Sequence, residues 1–161
     1  MKRLEVSQER VLELFKYDDG KLLRRSDGKQ MGCYSTKHHR YARVVIDGKD
    51  YKLHRIVFLY HHGYLPEVID HINGDRYDNH IENLREVNTY QNRQNSRIYS
   101  TSKSGVKNVY WDKRCQKWRV SFSINGKRKY FGGYDDLKEA KQVATSMRDK
   151  YFKEFANHGS Y

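Results

Sequence analysis

Within VIDHINGDRYDNHIENL, residues 68–84, a carboxylate and an imidazole stand side by side as Asp70 and His71, and an amide, Asn83, lies near the end of the stretch. A further amide, Asn92, follows shortly after. These residue types suit the hydrolysis of a phosphodiester. A hard divalent cation such as Mg²⁺ prefers oxygen ligands, and Asp70 and Asn92 offer a carboxylate oxygen and an amide oxygen. An ion so held polarises the scissile phosphate and steadies the leaving oxygen. A neutral imidazole takes a proton from water near pH 7, which is the role open to His71. Asn83 is suited to orienting that ring, or its loop. A plainer reading stands beside this one. Asn73, Gly74, Asp75, Asp78 and Asn79 are ordinary turn formers, and a lone Asp-His pair carries little information.

For these side chains to meet, EVIDH must be a short strand, the polar stretch a turn, IENLREV a returning strand and NTYQNRQNS, 88–96, a short helix. Upstream, SQERVLELF reads as a helix capped by Ser7. YARVVIDGKDYKL reads as a hairpin around Asp47-Gly48, part of a small twisted antiparallel sheet. HRIVFLYHH, 54–62, reads as a helix ended by Gly63 and Pro66, the chain's one proline. Downstream, VKNVYWD, KWRVSFSI and KRKYFGGY read as three strands, the last two joined at Asn125-Gly126. A helix follows from about 136 to 155, with Asp136 and Glu139 as a capping box. Leu137, Ala140, Ala144, Met147, Tyr151 and Phe155 form its apolar stripe. Phe122, Val120 and Phe131 offer that stripe a partner.

The chain has 161 residues and a formal net charge of +12, and 37% of its residues are apolar. With a mean hydropathy of −1.05, two small cores fit better than one large one. SRIYSTSKSG, 96–105, is polar enough to read as a linker. No run approaches the roughly 20 apolar residues of a membrane helix, and MKRLEVSQER lacks the apolar core of a signal peptide. Cys33 and Cys115 form no CxxC pair, which argues against zinc and disulfides and for a reducing compartment. Residues 97–161 carry 15 Lys/Arg against 6 Asp/Glu; within 97–134 the only acid is Asp112, against ten Lys/Arg. Tyr110, Trp111, Trp118 and Tyr130 interleave this basic block, which favours nucleic acid over a membrane surface as the partner. Trp118 is open to either packing or contact. His38-His39 and His61-His62 are poor chelators, because adjacent side chains diverge. They read as surface or phosphate-contacting residues. His54 is open to buttressing the site or to packing, and His80 reads as incidental.

The ordered set HRIV, then IDHINGDRYDNHIENLREV, then the helix bearing Asn92 resembles HNH endonucleases of the phage homing type. The resemblance implies a ββα-metal finger holding one divalent ion, Mg²⁺ or Mn²⁺. It further implies His71 as general base, Asn83 in a supporting role, and Asp70 with Asn92 as metal ligands. Some relatives carry a further histidine one turn beyond the metal-binding Asn, where this chain has Ser96. GVKNVYWDKRCQKWRVSFSINGKRKYFGGYDD with its following helix resembles an AP2-type DNA-binding domain, although Asn108 replaces a glycine usual in the plant versions. That likeness implies DNA contacts from Tyr110, Trp111, Lys113, Arg114, Lys117, Arg119, Lys127 and Arg128 on an exposed sheet face.

The expectation is therefore an α+β chain: an HNH nuclease domain over 1–95, a linker over 96–104 and an AP2-like domain over 105–161. It would cleave double-stranded DNA site-selectively as a monomeric nicking enzyme, leaving 5′-phosphate and 3′-hydroxyl ends, in the cytoplasm of a bacterial host. Two other readings stand: a catalytically silent DNA-binding regulator, and an RNA-binding accessory protein.

Overall fold

A computed structural model describes residues 6–32, 41–96, 98 and 101–159. Cys33, His38-His39 and part of the expected linker lie outside the described residues. The chain divides into two compact units, Met1–Thr89 and Tyr90–Tyr161.

In the first unit, α1 (Gln8–Leu14) starts at Ser7, whose hydroxyl accepts from the Arg10 amide at 3.2 Å. Two hairpins follow: β1 (Phe15–Asp18) with β2 (Lys21–Arg24), and β3 (Arg43–Ile46) with β4 (Lys49–Lys52). Asp47 and Gly48 both take positive φ, 48° and 75°, the two-residue turn that suits the twist of its flanking strands. The sequence pattern leads one to expect a single small sheet here, but among the described residues the hairpins are two separate two-stranded sheets. Each strand is only four residues long and supplies one or two inward side chains. Phe15, Leu22, Val44 and Ile46 therefore go into a shared core rather than extending a common ladder.

That core is organised by α2 (Leu53–His62), which buries Leu53, His54, Ile56, Val57, Phe58 and Leu59. β-branched residues are modest helix formers, so tertiary burial carries this helix. Gly63 ends it at φ 75°, its amide donating to the Leu59 carbonyl at 3.0 Å. β5 (Val68–His71) and β6 (Leu84–Val87) form a third antiparallel hairpin, entered through a 3₁₀ turn at Ile81–Asn83, and α3 (Thr89–Gln94) follows.

The second unit is an antiparallel sheet, β7 (Val109–Asp112), β8 (Lys117–Ile124) and β9 (Lys127–Tyr134), with α4 (Leu137–Phe152) packed against it. Val109 and Val120 meet Ala140 and Ala144, and Trp118, Phe131 and Tyr134 pack at the margin. Phe122 stacks on Phe131 at 4.5 Å and touches Phe152 at 4.9 Å. Trp118 is thus a packing residue. Asp136 caps α4 by accepting from the Lys138 amide.

The buried stripe of α4 is not the one expected from spacing. Ala140, Ala144, Arg148 and Phe152 are buried, whereas Tyr151 is exposed and Phe155 falls in a 3₁₀ turn beyond the helix. An i, i+4 series keeps one face toward the sheet. It places an arginine inside because that face meets carbonyl oxygens at position 148. The Arg148 guanidinium donates to the Lys107 carbonyl, to Asn108 Oδ1 and to His158 Nδ1. Replacing it with Leu would leave those buried acceptors unmatched, so Arg148→Leu should cost about 2–3 kcal/mol. Both tryptophans, Trp111 and Trp118, lie in this unit. Tryptophan fluorescence during urea unfolding therefore reads its stability; an unchanged midpoint would show that Arg148 is dispensable.

Candidate active site

β5 ends in an unusual run of buried polar residues. Asp70 and His71 are 7% and 5% exposed. Desolvation of this kind is tolerated only when partners replace water, and the two side chains find them on different sides of the hairpin. Asp70 lies opposite Arg85 in the β5–β6 register. Arg85 Nε and Nη2 donate to Asp70 Oδ2 at 3.1 and 3.0 Å. His71 faces α2, where its ring meets His54 edge-on at 5.1 Å. Tyr41 lies near both imidazoles, 5.0 Å from His54 and 6.2 Å from His71. The Lys52 ammonium and the Arg76 guanidinium stand over the Tyr41 ring.

Burial pushes His71 below the ordinary imidazole value. Its hydrogen bond with Asn79 and the charges of Asp70, Asp78 and Asp75 oppose that shift. His54 is pushed down to about 3, first by burial and then by the neighbouring His71, Lys52 and Arg55. Both rings are thus held neutral near pH 7, which leaves His71 able to accept a proton.

The turn between β5 and the 3₁₀ turn is fixed by its own polar side chains. Asn73 Oδ1 accepts from the Asp75 amide, Asp75 Oδ1 from the Tyr77 amide, and Asn73 Nδ2 donates to Asp78 Oδ2. Asn83 joins the two ends. Its Oδ1 accepts from the Asn73 amide at 3.0 Å and its Nδ2 donates to the Asp78 carbonyl at 2.9 Å. Of the two tasks open to Asn83 from its type, the geometry gives it the loop. The amide that touches the ring is Asn79, 4% exposed, which also donates to the Tyr77 carbonyl. Sequence reasoning left Asn79 among the turn residues and missed Arg85. Asn79 had no separate signal, and Arg85 had one only once the strand register was known. His80, read as incidental, bridges the turn to the first hairpin, with Nδ1 at 2.6 Å from Asp78 and Nε2 at 3.3 Å from Asp19.

Asn92 is an exposed residue of α3 and belongs to the second compact unit. Among the described residues, no group of three His, Cys, Asp or Glu side chains could hold a metal ion. The chemistry of the donor set nevertheless suits a hard ion: one carboxylate and one amide oxygen are what Mg²⁺ takes when water and phosphate oxygens supply the rest. An ion at Asp70 would share that carboxylate with Arg85.

The eight residues expected on a single basic sheet face are divided by the register. Tyr110 pairs with Arg119, Asp112 with Lys117 and Ser123 with Arg128, all on the face away from α4. Trp111 pairs with Trp118, and Lys127 with Ile124, on the helix side. Lys113 and Arg114 sit in the turn between β7 and β8. Side chains alternate along a strand, so a contiguous basic segment cannot present all its cations to one side. On the outer face Arg128 donates to Ser121 Oγ through Nε and Nη2, at 3.1 and 2.9 Å. Its guanidinium lies 5.8 Å from the Tyr110 ring and 5.9 Å from Tyr130. Lys117 and Arg119 are paired with Asp135 and Asp112.

Residues 51–96 match the family model described as HNH endonuclease. This stretch is similar to HNH endonucleases. It contains Asp70, His71, Asn83 and Asn92, and runs from β4 past the end of α3. The chain is also similar to Protein 3.8 of Escherichia phage T7, 28% identical over 81 residues, covering 50% of this chain and 67% of that protein. No solved structure matches. Among the described residues, no helix is long and apolar enough to cross a membrane.

A neutral His54 links folding to pH. Its folded value of about 3 lies below the ordinary 6.5, so between those limits the unfolded chain holds one more proton at this site. Stability is complete above 6.5 and falls as pH drops through that window, with a slope near 1.4 kcal/mol per pH unit. Denaturant unfolding between pH 4 and 7 should show a shallower dependence in His54→Gln than in the parent chain. Equal slopes would mean that His54 is protonated in the folded state.

Proposed function

We propose that this chain is a metal-dependent endonuclease that hydrolyses phosphodiester bonds of double-stranded DNA, acting site-selectively as a homing-type nicking enzyme of phage origin. The observation that carries the reading is His71, buried at a strand end within the stretch similar to HNH endonucleases and held neutral at neutral pH. In this reading His71 takes the proton from the attacking water. His54 and Asn79 hold its ring, and Asn83 holds the loop beside it. Asp70 and Asn92 are the residues that would hold one Mg²⁺ or Mn²⁺ ion. When bound, the ion supplies charge stabilisation at the scissile phosphate and the leaving oxygen. Arg85 keeps the Asp70 carboxylate in place. The basic second unit contributes duplex affinity through Tyr110, Lys117, Arg119 and Arg128, with Lys113 and Arg114 reaching from the adjoining turn. Trp111 and Lys127 are proposed to contact DNA from the sheet's margin. One centre of this kind cuts one strand, so a monomer nicks.

A second reading, a silent DNA-binding regulator, is favoured by one observation: the Asp70 carboxylate is already engaged by Arg85. Incubation with supercoiled plasmid separates the two. Nicking should require Mg²⁺ or Mn²⁺ and vanish in EDTA; cleavage that persists after thorough chelation removes the metal site, and no cleavage with either ion leaves the regulator.

His71→Ala should keep near-parental duplex affinity and lose on the order of 10²–10⁴-fold in nicking rate, the usual scale for a positioned general base. Asn92→Ala should lose rate through weakened metal binding and recover partly in excess Mn²⁺, whereas His71→Ala should not recover. A folded, DNA-binding His71→Ala variant that nicks at the parental rate would remove the general base.

A further inference from the structure

The segment between α3 and β7 carries a feature that neither the HNH-like stretch nor the sheet face accounts for. β7 begins at Val109, opposite Val120, while β8 continues to Ile124. At Asn108 the chain turns off the sheet with φ 67° after its carbonyl accepts from the Ser121 amide. The edge of β8 beyond that point is therefore not covered by β7, and a cavity of about 480 Å³ opens beside it. Its opposite wall is the end of α3 and the stretch leading to β7. Lys107 Nζ secures that wall by donating to the Gln94 and Ser96 carbonyls, and Ser104 Oγ secures it by donating to the Val109 carbonyl.

The lining has a consistent chemistry. Arg93 comes from the last turn of α3, Lys107 from the wall and Arg128 from the sheet, with the Ser121 and Ser123 hydroxyls and the Tyr110 ring between them. Among the described residues, the lining includes no carboxylate. Arg128 is held in place by Ser121 Oγ, which orders the guanidinium in advance of binding. Lys107 is lowered to about 8, by burial first and by the charge of Arg148, and remains mostly protonated at neutral pH. Cations and hydroxyls around a space of this size match a phosphate and its sugar.

We propose that this notch seats a backbone phosphate of duplex DNA, gripped by Arg93 and Arg128, so that the DNA contact of the second unit extends upstream of the sheet into the stretch that reads as a linker. This inference rests on the duplex-DNA reading above and adds Arg93 to it as a phosphate-binding residue.

The test is duplex binding by the full-length protein without divalent metal, measured from low to moderate salt on two duplexes of unrelated sequence. Arg93→Gln should weaken binding similarly on both and reduce the slope of log affinity against log salt by about 0.9, one phosphate contact. Lys138→Gln, which removes an equal charge from α4, should leave the slope at the parental value. A parental slope in Arg93→Gln, or an equal loss in Lys138→Gln, overturns the notch while leaving duplex binding intact. Absence of salt-dependent duplex binding by the parent chain overturns the DNA reading and the notch together.

Discussion

The burial of Asp70 and His71 at the end of one short strand is the constraint on which the first unit depends. A carboxyl group and an imidazole at single-digit exposure are costly unless the fold replaces their water. The carboxylate is matched by Arg85 from the neighbouring strand. The ring is matched by Asn79 from the turn and packed against His54 from α2. Three separate elements must therefore be in place before the strand end is tolerable, and the aliphatic side of α2 provides the core that holds them there.

The same logic governs the second unit, with an arginine in place of the carboxylate. Arg148 reaches buried acceptors at Lys107 and Asn108, so α4 is tied not only to the sheet but also to the segment that enters it. Lys107 in turn donates to carbonyls at the end of α3. A stretch whose composition is that of a free connector is thereby stitched to the unit at several described points. The two walls of the cavity beside β8 are also tied to each other, because the Tyr90 hydroxyl of α3 donates to the Ser123 carbonyl at 2.9 Å.

The order of the candidate catalytic residues was legible from the start: an acid, a base, a turn and two amides. The family match over 51–96 spans the same residues. What could not be read was which amide does what. Asn79 and Asn83 are equally plausible turn residues in one dimension. Only the closed loop puts Asn83 across its ends and Asn79 against the ring. Arg85 was invisible for a different reason: its pairing with Asp70 is a consequence of strand register, and a shift of one residue would have aimed it elsewhere.

The sequence by itself determined the element types, the sharp turns at Asp47-Gly48 and Asn125-Gly126, the order of the candidate catalytic residues and the concentration of positive charge after residue 96. These follow from local periodicity and turn chemistry, which act over a few residues. The tertiary structure alone decided that the two N-terminal hairpins stay separate and that α4 turns an arginine inward. It also divided the cations of the C-terminal segment between the two faces of its sheet. Those outcomes depend on which polar group is desolvated and on what partner stands within hydrogen-bond reach, and that partner is often far away in sequence.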